Sequence, residues 1–232
     1  MAAAFAWSVA SPAVFAAALV LCSREAHINV DEWGATEFQS GGMKLVSMPE
    51  TAGKIAPEVL AETLKRYPEG GRFGAPVALS LTNATELGTV YTPGEVSALT
   101  GLAHGAGLAV HMDGARFGNA VAASHASPAD ITWRAGVDML SFGGTKNGCL
   151  ASEAIVVFSP DRLHDLAARR QRAGHTFSKS RFIAAQFEGY LADGKWLERA
   201  RHANAMADRL RAGIAANPAA RLGWPIASPI AS

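Results

Sequence analysis

Short apolar runs separated by helically spaced stretches constrain this chain most. The runs at 18–21, 77–81, 108–112, 139–142 and 155–158 are rich in Val, Ile and Leu and show little polar alternation. A strand that is apolar on both sides needs cover on both faces, which crossover helices packed on a parallel sheet provide. The expected fold class is therefore α/β, a mostly parallel sheet flanked by helices.

Several helix starts are written into the sequence. "TPGE" at 92–95 places Thr92 at an N-cap, Pro93 at the first helical position and Glu95 three residues after the cap, a capping box. "SPAD" at 127 and "SPDR" at 159 repeat the Ser-Pro start and are expected to open helices too. From Lys195 to about 216, Trp196, Leu197, Ala200, Ala203, Ala207, Leu210 and Ile214 recur at three- and four-residue intervals, which predicts the longest helix; Pro218 closes it. The chain then runs out through "WPIASPIAS".

Composition excludes whole classes of function. With 232 residues, 49% of them hydrophobic and 18% charged, the chain suits a packed domain and not a disordered one. The 21 basic and 20 acidic residues form no long basic stripe, so nucleic acid is not an expected partner. Cys22 and Cys149 make neither a CxxC nor a metal-ligand spacing, so no metal is expected, and a reducing, cytoplasmic location suits them. The start, "MAAAFAWSVASPAVFAAALVLC", carries no Lys or Arg ahead of its apolar residues and is interrupted by Pro12; it is expected to be a core segment, not an export signal or a membrane span.

Two stretches carry chemistry. In "HMDGARFGNA", residues 111–120, Asp113 ends the run 108–112, at the carboxyl edge of the sheet where open α/β folds bind ligands. In "SFGGTKNGCL", residues 141–150, Lys146 stands among glycines just behind the run 139–142, and the connection between the two strands is long enough for one short helix. A carboxylate and an amine converging on one crevice, with glycines that would let a flat ligand approach, match the needs of pyridoxal phosphate. Lysine forms a Schiff base with it and aspartate pairs with its pyridine nitrogen. Singly, each residue reads as a turn aspartate or a solvated lysine; together, at adjacent strand ends, they favour the cofactor.

Beyond these two stretches, "AHINVDEWGATEFQSGGMKLV", "SFGGTKNGCLASEAIVVF" and "RAGHTFSKSRFIAAQFEGYL", with "HMDGARFGNA", resemble the low-specificity L-threonine aldolases, from about residue 20 to about 225. These belong to the β-eliminating lyase group of the fold-type I pyridoxal-phosphate enzymes. The resemblance implies Lys146 as the cofactor lysine, Asp113 as the ring-nitrogen partner, Arg116 as the binder of the substrate carboxylate, and His27 as a ring stacked on the cofactor that helps to handle the β-hydroxyl proton. The implied reaction is pyridoxal-phosphate-dependent cleavage of L-threonine or L-allo-threonine, a small amino-acid substrate, to glycine and an aldehyde, in a homo-oligomer. The base stays open between His27, His104, His111 and a water. Glu86, in "TNATELGTVY", is either a support for the site or a plain loop carboxylate; Arg172 and Lys179 either approach a neighbouring subunit's phosphate or are solvated.

The resemblance also implies an organisation. Residues 20–217 would be the core of the cofactor-binding large domain and 218–232 the start of a small C-terminal domain, while the apolar segment 1–19 does not match. The family's phosphate-binding turn at a helix N-terminus and the second arginine of its small domain have no counterpart, so the large domain is expected to be incomplete. Two other readings remain: a non-catalytic fragment of the same family, and another fold-type I enzyme such as an aminotransferase.

Overall fold

The computed structural model of the chain describes residues 18–68, 71–158 and 166–224. Six strands form one sheet: β1 (Ala18–Ser23), β2 (Lys44–Met48), β3 (Ala75–Thr82), β4 (Ala109–Gly114), β5 (Met139–Gly143) and β6 (Glu153–Val157). Their order is β2-β1-β3-β4-β5-β6. All neighbours pair parallel except β6, which runs antiparallel to β5 at one edge. The mostly parallel sheet is thus as the apolar runs predict. Strand β2 is the addition, an edge strand in which Met48 alone is buried, so its sequence lacks the apolar run that marks the others.

The chain crosses from β1 outward to β2 and returns on the other side of β1 to begin β3. The strand order therefore reverses between β1 and β3, which opens a crevice at their carboxyl ends.

Two apolar layers cover the sheet. On one face, Leu21, Leu79, Leu81, Val110, Met112 and Leu140 pack against α3 (Pro57–Arg66), α4 (Pro93–Gly105) and α5 (Phe117–Ser124) through Leu60, Leu99 and Phe117. On the other, Val20, Cys22, Ala78 and Ala109 meet Ala26, Ile28 and Met43, which lie in or beside α1 (His27–Val30) and α2 (Ala35–Ser40). Successive residues of β1 enter opposite layers, and so its sequence is continuously apolar.

The capping box of α4 forms as expected between Thr92 and Glu95. The predicted long helix is α8 (Lys195–Ala215), preceded by α6 (Leu166–Arg172) and α7 (Ser180–Leu191). At Ser127 the expected helix is replaced by a turn. Asp130 N–H donates to Ser127 Oγ at 3.2 Å and Ser127 N–H to Asp130 Oδ2 at 3.3 Å, but only the single 3-10 turn Trp133–Ala135 follows. Gly136, at φ 91°, ends it. The Ser-Pro at 159 and the apolar start lie outside the described residues, except for the last few residues of that start, which form β1. Among the described residues no helix is long and apolar enough to cross a membrane.

The exits of β4 and β5 run very close together. A Cβ on Gly143 would lie 2.5 Å from the Ala115 carbonyl oxygen, and backbone cannot step aside as a flexible side chain can. Gly143→Ala should therefore cost about 1–3 kcal/mol of stability, read from denaturant unfolding; an unchanged midpoint would mean that the two exits separate freely.

Candidate active site

Four parallel strands deliver the functional side chains to one edge. Asp113, the penultimate residue of β4, is only 8% exposed. Ala115 N–H donates to its Oδ1 at 2.9 Å, and Asp113 faces Thr82 of β3 and Ser141 of β5 in the strand register. Arg116, exposed, is the N-cap residue of α5. Lys146, also exposed, sits in the single 3-10 turn Thr145–Asn147 beyond β5. His27 opens α1 beyond β1. The structure thus brings Asp113, Arg116, Lys146 and His27 to the carboxyl edge of adjoining strands.

The lysine turn is held from several sides. Asn147 Nδ2 donates to Tyr190 Oη and to the Trp196 carbonyl, each at 2.8 Å. Thr145 N–H donates to Glu153 Oε1 at 3.1 Å, and Gln186 Oε1 accepts from Leu150 N–H at 2.8 Å. Below the turn, Phe142 meets Phe117, Phe187, Tyr190 and Trp196 at centroid separations of 5.6–5.9 Å. The glycines beside Lys146 let other parts of the chain come close. Gly143 faces Ala115, a Cβ on Gly144 would lie 2.6 Å from the Ser152 carbonyl oxygen, and Gly148 takes φ 112°.

Glu86 lies beside His27. His27 N–H and Thr82 Oγ1 each donate to its Oε1 at 2.9 Å, so it ties the exits of β1 and β3 together where the strand order reverses. Burial raises its pKa above the usual carboxylate range; its hydrogen bonds oppose that shift and the Asp113 charge adds to it. The loop that carries it is fixed by Tyr91 N–H donating to Asn83 Oδ1 at 3.1 Å and by Thr85 and Thr89, whose hydroxyls are 2.8 Å apart. Glu32, which the sequence reading missed, lies with Oε1 3.1 Å from His27 Nδ1.

Two of the histidines considered as bases are placed elsewhere. His111 is buried, its Nδ1 3.1 Å from Ser80 Oγ and its Nε2 2.8 Å from Ser141 Oγ. Burial pushes its pKa down to about 4 against the pull of the Asp113 charge, which makes it a neutral cross-strand link. His104, in the last turn of α4, lies 3.1 Å from Asp138 at the start of β5, at the amino edge of the sheet. Arg172 and Lys179 are both exposed, at the end of α6 and the N-cap of α7. Among the described residues no group of three or more His, Cys, Asp or Glu could hold a metal. The edge instead offers an exposed amine, a buried carboxylate and a half-exposed imidazole, a set suited to a flat, cationic, aldehyde-bearing ring.

This architecture is the fold-type I pyridoxal-phosphate enzyme fold: an aspartate aminotransferase mutant of Thermus thermophilus superposes with a TM-score of 0.64 at 15% identity, over 91% of this chain and 56% of that one. The chain belongs to the beta-eliminating lyase family, whose sequence model matches residues 6–223. Low specificity L-threonine aldolases of Pseudomonas sp. strain NCIMB 10558 and Pseudomonas aeruginosa are 43% and 44% identical to it over 208 residues, 89% of this chain. The chain spans 60% of the length of each. The structure of a threonine aldolase from Leishmania major superposes with a TM-score of 0.88 at 29% identity, covering 97% of this chain and 64% of that one.

The neutral His111 has a consequence for acid stability. Its folded pKa of about 4 lies below the ordinary 6.5, so between these values the unfolded chain binds more protons. Its contribution is complete above 6.5 and is lost as pH falls towards 4, by on the order of 3 kcal/mol. The unfolding free energy should therefore fall across that window, and His111→Gln should flatten the slope; equal slopes in both proteins would show that His111 is free to charge.

Proposed function

We propose that this chain carries the central part of a pyridoxal-phosphate-dependent lyase that cleaves L-threonine and L-allo-threonine to glycine and an aldehyde. The observation that carries the reading is the placing of buried Asp113 and exposed Lys146 on the exits of adjacent strands, in a chain 43% identical to a low specificity L-threonine aldolase. Residues 20–217 are read as the cofactor-binding core and 218–232 as the opening of the small domain.

The residues fit the ring end of the cofactor. Lys146 would hold it through the ε-amine, on a turn pinned by Asn147. Asp113, whose Oδ1 is engaged by Ala115 N–H, would hold the ring nitrogen protonated. When bound, the cofactor supplies an electron sink for the pair of the Cα–Cβ bond. Arg116 presents a planar fork to the substrate carboxylate. His27 supplies an imidazole against the ring face and, with His104 and His111 placed elsewhere, a side chain that can take the β-hydroxyl proton. The proposed setting is a cytoplasmic homo-oligomer, with Arg172 and Lys179 available to a neighbour's phosphate.

The test is an absorbance spectrum of the purified chain with added pyridoxal phosphate, before and after borohydride reduction, together with aldehyde release from threonine and allo-threonine. A band that reduction traps on Lys146 and that Lys146→Ala lacks is expected, with aldehyde above that control. Absence of both would favour the non-catalytic fragment, and an oxo acid in place of glycine would indicate an aminotransferase. Arg116→Ala should raise KM by about 10- to 100-fold, the loss of charge-assisted hydrogen bonds; an unchanged KM would remove Arg116 from the carboxylate site.

A further inference from the structure

His27 is held at two points by two different carboxylates. Its backbone N–H donates to Glu86 Oε1 at 2.9 Å, and its ring Nδ1 lies 3.1 Å from Glu32 Oε1. The two side chains differ sharply in exposure, 40% for His27 and 5% for Glu32, so a half-exposed imidazole is backed by a buried carboxyl group. Local backbone explains the return of the chain. Helix α1 makes a single turn, in which Val30 N–H donates to the Ala26 carbonyl at 3.1 Å and Asp31 N–H to the His27 carbonyl at 2.9 Å. This single turn brings Glu32 back against the ring five residues earlier.

We infer that Glu32 is the positioning residue for His27: it fixes the Nδ1–H tautomer and the ring plane, leaving Nε2 as the basic nitrogen. A carboxylate offers only acceptors, so a hydrogen bond between the two requires the proton on Nδ1. A neutral imidazole so held carries its lone pair on Nε2, whereas free histidine favours the opposite tautomer. Carboxylates behind metal-bound histidines act in the same way, fixing tautomer and orientation. Nε2 is then ready to take the proton of a substrate hydroxyl. That catalytic consequence rests on the function proposed above; the tautomer does not.

The experiment that separates them is a long-range proton–nitrogen correlation spectrum of the isotope-labelled full chain without added cofactor, at a pH where the imidazole is neutral. The expected result is His27 protonated at Nδ1 in the parent chain and reverting towards Nε2–H in Glu32→Ala, with Glu32→Asp retaining part of the parent state. Nε2–H in the parent chain would overturn the inference without any variant, and so would a tautomer that Glu32→Ala leaves unchanged. In the cofactor-loaded protein, Glu32→Ala should lower kcat about 10- to 100-fold, with a smaller change in KM and partial rescue by Glu32→Asp. A reverted tautomer with an unchanged kcat would overturn the catalytic consequence. Inactivity of the parent chain would defeat the proposed function and leave the tautomer assignment standing.

Discussion

One buried imidazole fixes the alignment on which the rest of the edge depends. His111 on β4 reaches Ser80 on β3 through Nδ1 and Ser141 on β5 through Nε2, so a single side chain links three of the strands whose exits bear the site. Side chains alternate between the faces of a strand, and a slip of one residue would turn every one of them over. His111 and Asp113 are two residues apart and share a face, so the interaction that aligns the strands also places the carboxylate. Both ring nitrogens lie within hydrogen-bond reach of a serine hydroxyl, which makes the burial of so polar a group tolerable. The hydroxyls lie on neighbouring strands, so a misaligned sheet would forfeit them.

The residues that sequence reveals most readily are those that directly follow apolar runs. Asp113 and Lys146 stand at the ends of β4 and β5, and the ends of buried strands can be read from hydrophobicity. Edge strand β2 could not be found in that way because it is mostly unburied. The Ser-Pro at 127 gives the expected capping exchange without a helix, since a cap starts a helix and the residues after it decide whether it continues; here Thr132, at φ −127° and ψ −107°, leaves helical geometry.

Histidines show the limit more plainly. His104 and His111 are seven positions apart, yet one lies at the amino edge of the sheet and the other inside it. A helix that runs back along the sheet carries its last turn away from the strand exits, and composition holds no record of that direction. His27 was placed by resemblance alone. Glu32 reaches the ring through one short helical turn that no apolar periodicity marks, and Glu86 depends on tertiary closure, on two strands that meet across the reversal of strand order. Two of the glycines near Lys146, Gly143 and Gly144, also have a structural use that the sequence does not reveal, the close approach of the protein's own backbone.

The anchoring of the lysine turn also has a temporal side. Asn147 donates both of its amide hydrogen bonds to residues made much later, the Tyr190 hydroxyl and the Trp196 carbonyl. A chain emerging from the ribosome therefore exposes Lys146 long before the turn can acquire these two restraints. The Lys146 amine is present from the moment that residue is added, but its geometry is completed only when α8 has begun to form and packs against α5, where Asn204 Nδ2 donates to the Asn119 carbonyl at 3.1 Å. Synthesis order alone thus separates the arrival of the amine from the arrival of the restraints on its turn.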